Sequence, residues 1–209
     1  MPTTRGLERL IFFSDAVAAI AITLLILPLV DAASQAGEAD RTAAHFFEEE
    51  RQQIVAFLIS FAAIARLWVA HHSLFEHLAS YSRRIVFLSL IWAFTIVVLP
   101  LPTAMSAEFD TEPLTVGFYI GTMFASSLIL TLLAVTIRGD PLLEAPEHPI
   151  SRTVVRGSSL MTVLFAMALV VGVVAPVVNY WALVLLLLAG PIEALLNRRH
   201  GANGKLQKA

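Results

Sequence analysis

Long apolar runs alternate along this chain with short polar breaks, and the runs have the length of membrane-crossing helices. Spanning the hydrocarbon core of a bilayer takes roughly 20 mostly apolar residues in a helix. Six windows qualify, at about 7–29, 52–74, 84–106, 114–137, 153–175 and 180–197. Between them lie a polar segment from Asp31 to Arg51, an acidic loop with Glu108, Asp110 and Glu112, and a connection from Arg138 to Arg152. That connection is broken by Pro141, Pro146 and Pro149, and Pro176 and Asn179 mark a tight turn before the last window. Pro28, Pro100, Pro102 and Pro176 fall near window ends, where a missing backbone donor costs least. The pattern predicts an all-α polytopic membrane protein, one domain of six transmembrane helices over residues 1–209.

Composition supports that class and narrows the chemistry. The chain is 57% hydrophobic with a mean hydropathy of +0.77, against about 45–50% apolar for an ordinary soluble domain. Its formal charge of -2 argues against a nucleic-acid partner. With no cysteine, it offers no disulfide, thiol nucleophile or thiolate metal site. The first apolar run carries Asp15 and is too long for a signal-peptide core, so no cleavable leader is expected. Neither a glycine-rich phosphate loop nor a nucleophile motif is present, so no enzymatic activity and no cofactor are expected.

Basic residues set the expected orientation. Arg5, Arg9, Arg83, Arg84, Arg138, Arg152, Arg156 and the tail from Arg198 fall on one set of helix ends, against Arg41 and Arg51 on the other. Both termini are therefore expected in the cytoplasm, in the inner (plasma) membrane. The opposite face carries Asp31, Glu38, Asp40, Glu48, Glu49, Glu50 and the acidic loop. Such a rim either concentrates cations or is simply a set of solvated loops.

Ionisable groups at membrane depth are costly unless paired or wetted. Asp15 sits at the mouth of the first helix. Counting depths along antiparallel neighbours brings Ser14, Asp15, Arg66, Trp68, His71, His72 and Ser89 to one level. They either staple the first three helices or form a proton or ion relay. A metal site is not expected, because the adjacent His71 and His72 do not share a helix face. Farther along, Ile20, Leu24 and Leu27 recur at i, i+4 and i+7 with Thr23 at the border. Small residues, Ala16, Ala18, Ala19 and Ala21, accompany them and permit close packing. An apolar stripe of this kind faces lipid, packs in a core, or gates a pore by dewetting. Periodicity leaves the three open.

The motif residues add a resemblance. Arg9-x-x-x-Phe13-Ser14-Asp15 followed by Ala-Ile-Ala-Ile-Thr-Leu-Leu resembles the signature of the transmembrane protein 175 family. Trp68-x-x-His71-x-x-x-Phe75 and Leu99-Pro100 are similar to the ends of that family's second and third helices. Its members are potassium-permeable channels of animal lysosomes, with shorter bacterial relatives. The resemblance covers about the first half of the chain. It implies a homotetramer in the lipid bilayer, permeable to potassium and other monovalent cations, with helix one lining the pore. It further implies a narrowest hydrophobic ring at Ile20, apolar rings at Leu24 and Leu27, and a threonine layer at Thr23 tied to potassium preference. Arg9, Phe13, Ser14, Asp15, Trp68 and His71 would form the interhelical network, with Ser89 where the family often has asparagine. The runner-up reading is a proton-coupled secondary transporter using Asp15, Arg66 and His71; a third is a non-transporting scaffold.

Overall fold

The computed structural model describes residues 4–109 and 112–174. The expected sixth helix at about 180–197 and the turn before it lie outside the described residues. Among those described, all regular structure is helical, apart from one isolated antiparallel bridge between Leu78 and Glu144. Five stretches are long and apolar enough to cross a membrane: Thr4–Glu38, Arg51–Phe75, Arg83–Glu108, Pro113–Gly139 and Arg152–Val174.

The first stretch differs from its expected bounds. It comprises α1 (Thr4–Leu24), a turn at Leu25 and Ile26, and α2 (Leu27–Glu38). The rod therefore runs beyond residue 29 and takes in Asp31 to Glu38, which hydropathy assigns to a polar connection. Composition explains the extension. Ala32, Ala33 and Ala36 favour helix whatever their hydropathy, and Ser34 Oγ donates back to the Val30 carbonyl at 3.0 Å. A short helix, α3 (Ala43–Glu49), then lies inside the same connection, its N-cap Thr42 accepting from the His45 N–H at 3.3 Å. Arg41 and His45 both pair with Glu49 there.

The second helix, α4 (Arg51–Phe75), is continuous. The third expected window is again two helices, α5 (Arg83–Val98) and α6 (Pro100–Glu108). Pro100 and Pro102 remove two helical donors, and the Leu99 N–H turns to Ile96 O at 3.3 Å. α7 (Pro113–Gly139) opens with proline in its first turn, where no donor is lost. α8 (Arg152–Val174) follows.

The core is centred on α5 and α7. Ile85, Trp92 and Ile96 of α5 meet Val116, Ile120, Leu133 and Ile137 of α7, all fully buried. α8 packs along α7, while α1 lies against α5 and α4. Lipid is as apolar as leucine, so packing and hydroxyl contacts hold such helices together. The α7–α8 seam shows both. Ser127 and Thr162 meet at 3.0 Å, Thr131 and Ser158 at 2.8 Å, and Thr131 and Thr162 at 2.9 Å. Toward the other end, Ser60 Oγ lies 2.8 Å from Tyr119 Oη and accepts from Thr103 Oγ1 at 2.8 Å. Those bonds tie α4, α6 and α7.

Candidate functional site

Two parts of α1 carry the candidate chemistry, and their burial separates them. The inward face is Leu7, Leu10, Ser14, Ala18, Ala21 and Leu25. Their spacing of three and four residues is that of one helical stripe. The outward face includes Phe13, Ala16, Ile20, Thr23 and Leu24, and Leu27 continues it on α2. Ile20 is 59% exposed, Leu24 41% and Leu27 49%. No other part of the described chain covers them.

The helix is interrupted at this level. Pro28 has no N–H, so the Leu24 carbonyl loses its helical partner. Ile26 N–H instead reaches Thr23 O at 3.4 Å, and the helix restarts at Leu27. Thr23 Oγ1 donates to Ile20 O at 2.8 Å, leaving its lone pairs outward on an exposed residue. Leu27 therefore lies across a break from Ile20 and Leu24. The three do not share one unbroken helix, as their spacing alone would have it.

The polar group below is smaller than its expected membership. The Trp68 indole N–H donates to Asp15 Oδ1 at 2.8 Å, joining α4 to α1. Trp68 also stacks on His72, their ring centroids 5.4 Å apart. His71 is buried against Trp92 of α5, stacked at 3.9 Å and 13°, with Phe75 on its flank at 4.4 Å. Ser89 is buried one turn before Trp92. Neither His71 Nε2 nor Ser89 Oγ has a hydrogen-bond partner among the described residues. Ser14 Oγ is also buried but donates to its own helix, to Leu10 O at 3.0 Å.

Three residues stand apart from that group. Arg66 is exposed and points to α8, its Nη2 3.8 Å from Met161 Sδ. The inward face of α4 is Ser60, Ile64, Leu67, His71 and Leu74, and Arg66 is off that stripe. Arg9 and Phe13 are exposed at the foot of α1, and Arg9 forms no ion pair among the described residues. Sequence reasoning missed Trp92, the ring that carries His71. Its place seven residues after Ile85 on the buried face of α5 is the signal for it.

Known proteins resemble both the sequence and the shape. Residues 9–100 match the family model of the endosomal/lysosomal potassium channel TMEM175. A protein from Streptomyces collinus named as a potassium channel is 37% identical over 102 residues, covering 48% of this chain and 47% of that one. A second, from Chamaesiphon minutus and also named as a potassium channel, is 30% identical over 128 residues, covering 60% and 63%. The endosomal/lysosomal proton channel TMEM175 of Bos taurus is 32% identical over 111 residues, covering 51% and 23%. The matched part thus spans from about a quarter to under two thirds of these relatives' lengths. In shape, a crystal structure described as a lysosomal potassium-selective channel TMEM175 homolog from Chamaesiphon minutus superposes with a TM-score of 0.70. It is 21% identical and covers 92% of this chain and 98% of that one, which shows a shared fold. The chain has the helices of a multi-pass membrane protein, and its residues 9–100 are similar to the TMEM175 family.

Proposed function

We propose that this chain is a passive, modestly selective potassium channel, built as a homotetramer with α1 and α2 around a central pore. Ile20 forms the hydrophobic constriction, and Leu24 and Leu27 form further apolar rings. Thr23 supplies the oxygen layer that favours potassium over sodium. Asp15 and Trp68 tie the pore helix to α4, with His71 of α4 and Ser89 of α5 behind them. Arg9, Phe13 and Ser14 complete the foot of the helix. Both termini face the cytoplasm of an inner-membrane protein.

One observation carries this reading: α1 breaks at Leu25 and Ile26, beside an outward face that nothing else among the described residues covers. Irregular backbone at membrane depth is tolerated only when buried in protein or lining a water-filled cavity. Leu25 is buried but Ile26 is exposed, so the described residues cover only the inner side of the break. A lipid-facing stripe, the simplest meaning of Ile20, Leu24 and Leu27, would leave the Leu24 carbonyl in hydrocarbon. Water or a permeant cation satisfies it. The relatives' names as potassium channels agree with this chemistry.

The transporter alternative requires Asp15, Arg66 and His71 to meet. Arg66 contacts Met161 and Asp15 is held by Trp68, so that site is not assembled in this conformation. Potassium flux from the purified chain in liposomes, with and without a proton gradient, decides between them. Gradient-independent flux supports the channel; saturable flux that needs the gradient overturns it.

A further inference from the structure

We infer that the loops 76–82 and 140–151 form a lock on the foot of α1, with Tyr81 as the residue that positions the pore helix. This rests on the reading that α1 lines the pore. The two loops are far apart in sequence but bonded as a short ribbon. Leu78 and Glu144 pair antiparallel. The Ala145 N–H donates to His77 O at 2.8 Å and the Ala79 N–H to Leu143 O at 2.9 Å. His77 Nδ1 donates to the His148 carbonyl at 2.8 Å, since a carbonyl can only accept. Glu144 Oε1 in turn accepts from the Ile150 N–H at 2.5 Å. Leu78, Leu143 and Ile150 are buried in the same core as α5 and α7. The ribbon is therefore anchored rather than draped.

Its free end reaches α1. Tyr81, next to the ribbon, packs so closely on Gly6 that a Cβ there would lie 2.8 Å from both Cε1 and Cζ of the ring. Real Cβ atoms do not approach that near. Gly6 is in the first turn of α1, directly below the Leu7 and Leu10 face. A helix seated without slack against an aromatic ring cannot tilt or slide until the ring moves. While the ribbon holds the loop that carries it, the ring's backbone anchor stays in place. Packed contacts of this kind are bistable and turn small loop shifts into helix displacements. The connection between α7 and α8 thus restrains a pore it does not line.

The cysteine-free chain permits a direct test. Directly opposed residues in an antiparallel pair have Cβ atoms about 4.5–5.5 Å apart, close enough for a disulfide after small adjustment. The double variant Leu78→Cys/Glu144→Cys is reconstituted as the full chain in liposomes, and potassium flux is read oxidised and then reduced. The reduced protein is its own reference. Closing the bond should lower flux about fivefold or more, as for a typical coupling between sites, with recovery on reduction and no change in the potassium-over-sodium reversal potential. Adding Gly6→Ala, which displaces Tyr81, should abolish that redox sensitivity. Equal flux in the two states, with the cross-link verified by mass, overturns the lock while leaving the channel reading intact. No flux from the wild-type chain removes both.

Discussion

The Trp68 indole and the Asp15 carboxylate meet at 2.8 Å, and no cation among the described residues shares that carboxylate. An aspartate near a membrane is thereby held by a neutral donor from the next helix. The bond fixes α1 against α4 one turn below the level at which its outward face becomes Ile20. Trp68→Phe removes the donor and leaves the acceptor in place, which costs about 1–3 kcal/mol for a group partly shielded from water. The expected outcome is a lower melting temperature in detergent and a smaller oligomer fraction on size exclusion, at unchanged reversal potential. Arg9→Ala should be milder in the melting assay, because Arg9 is exposed and unpaired within the described chain. Equal loss from both substitutions would contradict this division.

Thr23 is the next test. Its hydroxyl hydrogen is committed to the Ile20 carbonyl at 2.8 Å, so the oxygen faces outward as an acceptor. Oxygen ligands replace part of an ion's hydration, and their number and field strength set the preference among cations. Thr23→Ala should move the bi-ionic potassium/sodium reversal potential toward zero, and Thr23→Ser should largely preserve it. An alanine variant with the wild-type potential removes Thr23 from the selectivity layer.

Pro28 makes the break, so Pro28→Ala should close it. The restored N–H would bond the Leu24 carbonyl and join α1 to α2. The lining at that level would become wholly apolar. Thermal stability should hold or rise, while potassium flux in liposomes falls. Flux that rises or stays level would show that the opened carbonyl does not serve conduction.

Much of this fold was legible in the chain. Apolar run length marks the five described spans to within a few residues at most ends, because hydrocarbon thickness fixes helix length. The breaks were less legible. Leu25 and Ile26 are as apolar as their neighbours, and hydropathy does not register a lost backbone donor. Pro28 was read as an end of the helix, whereas the rod resumes beyond it to Glu38. The candidate site divides in the same way. Depth counting puts Asp15 and Trp68 at one level on neighbouring helices, and the two side chains are hydrogen-bonded. It misplaced Arg66, because depth says nothing about rotation. Only the position of α8 explains why Arg66 reaches Met161.

Arg66 tests the alternative function. Its exposed guanidinium takes no part in the Asp15 contact. Arg66→Ala should leave potassium flux and its independence from a proton gradient unchanged. Abolished, gradient-driven transport in this variant would revive the proton-coupled reading.

The constriction at Ile20 is the centre of the account, and flux through an Ile20→Asn variant tests it most directly. The side chain is exposed on the outward face of α1, so the substitution adds a polar group there without opening a cavity in the core. Lowering a dewetting barrier by about 1.4 kcal/mol raises the rate about tenfold. Purified protein in potassium-loaded liposomes should show an increase of that order over wild type, with the same oligomer on size exclusion. Wild-type flux and selectivity from a well-folded Ile20→Asn protein would contradict it.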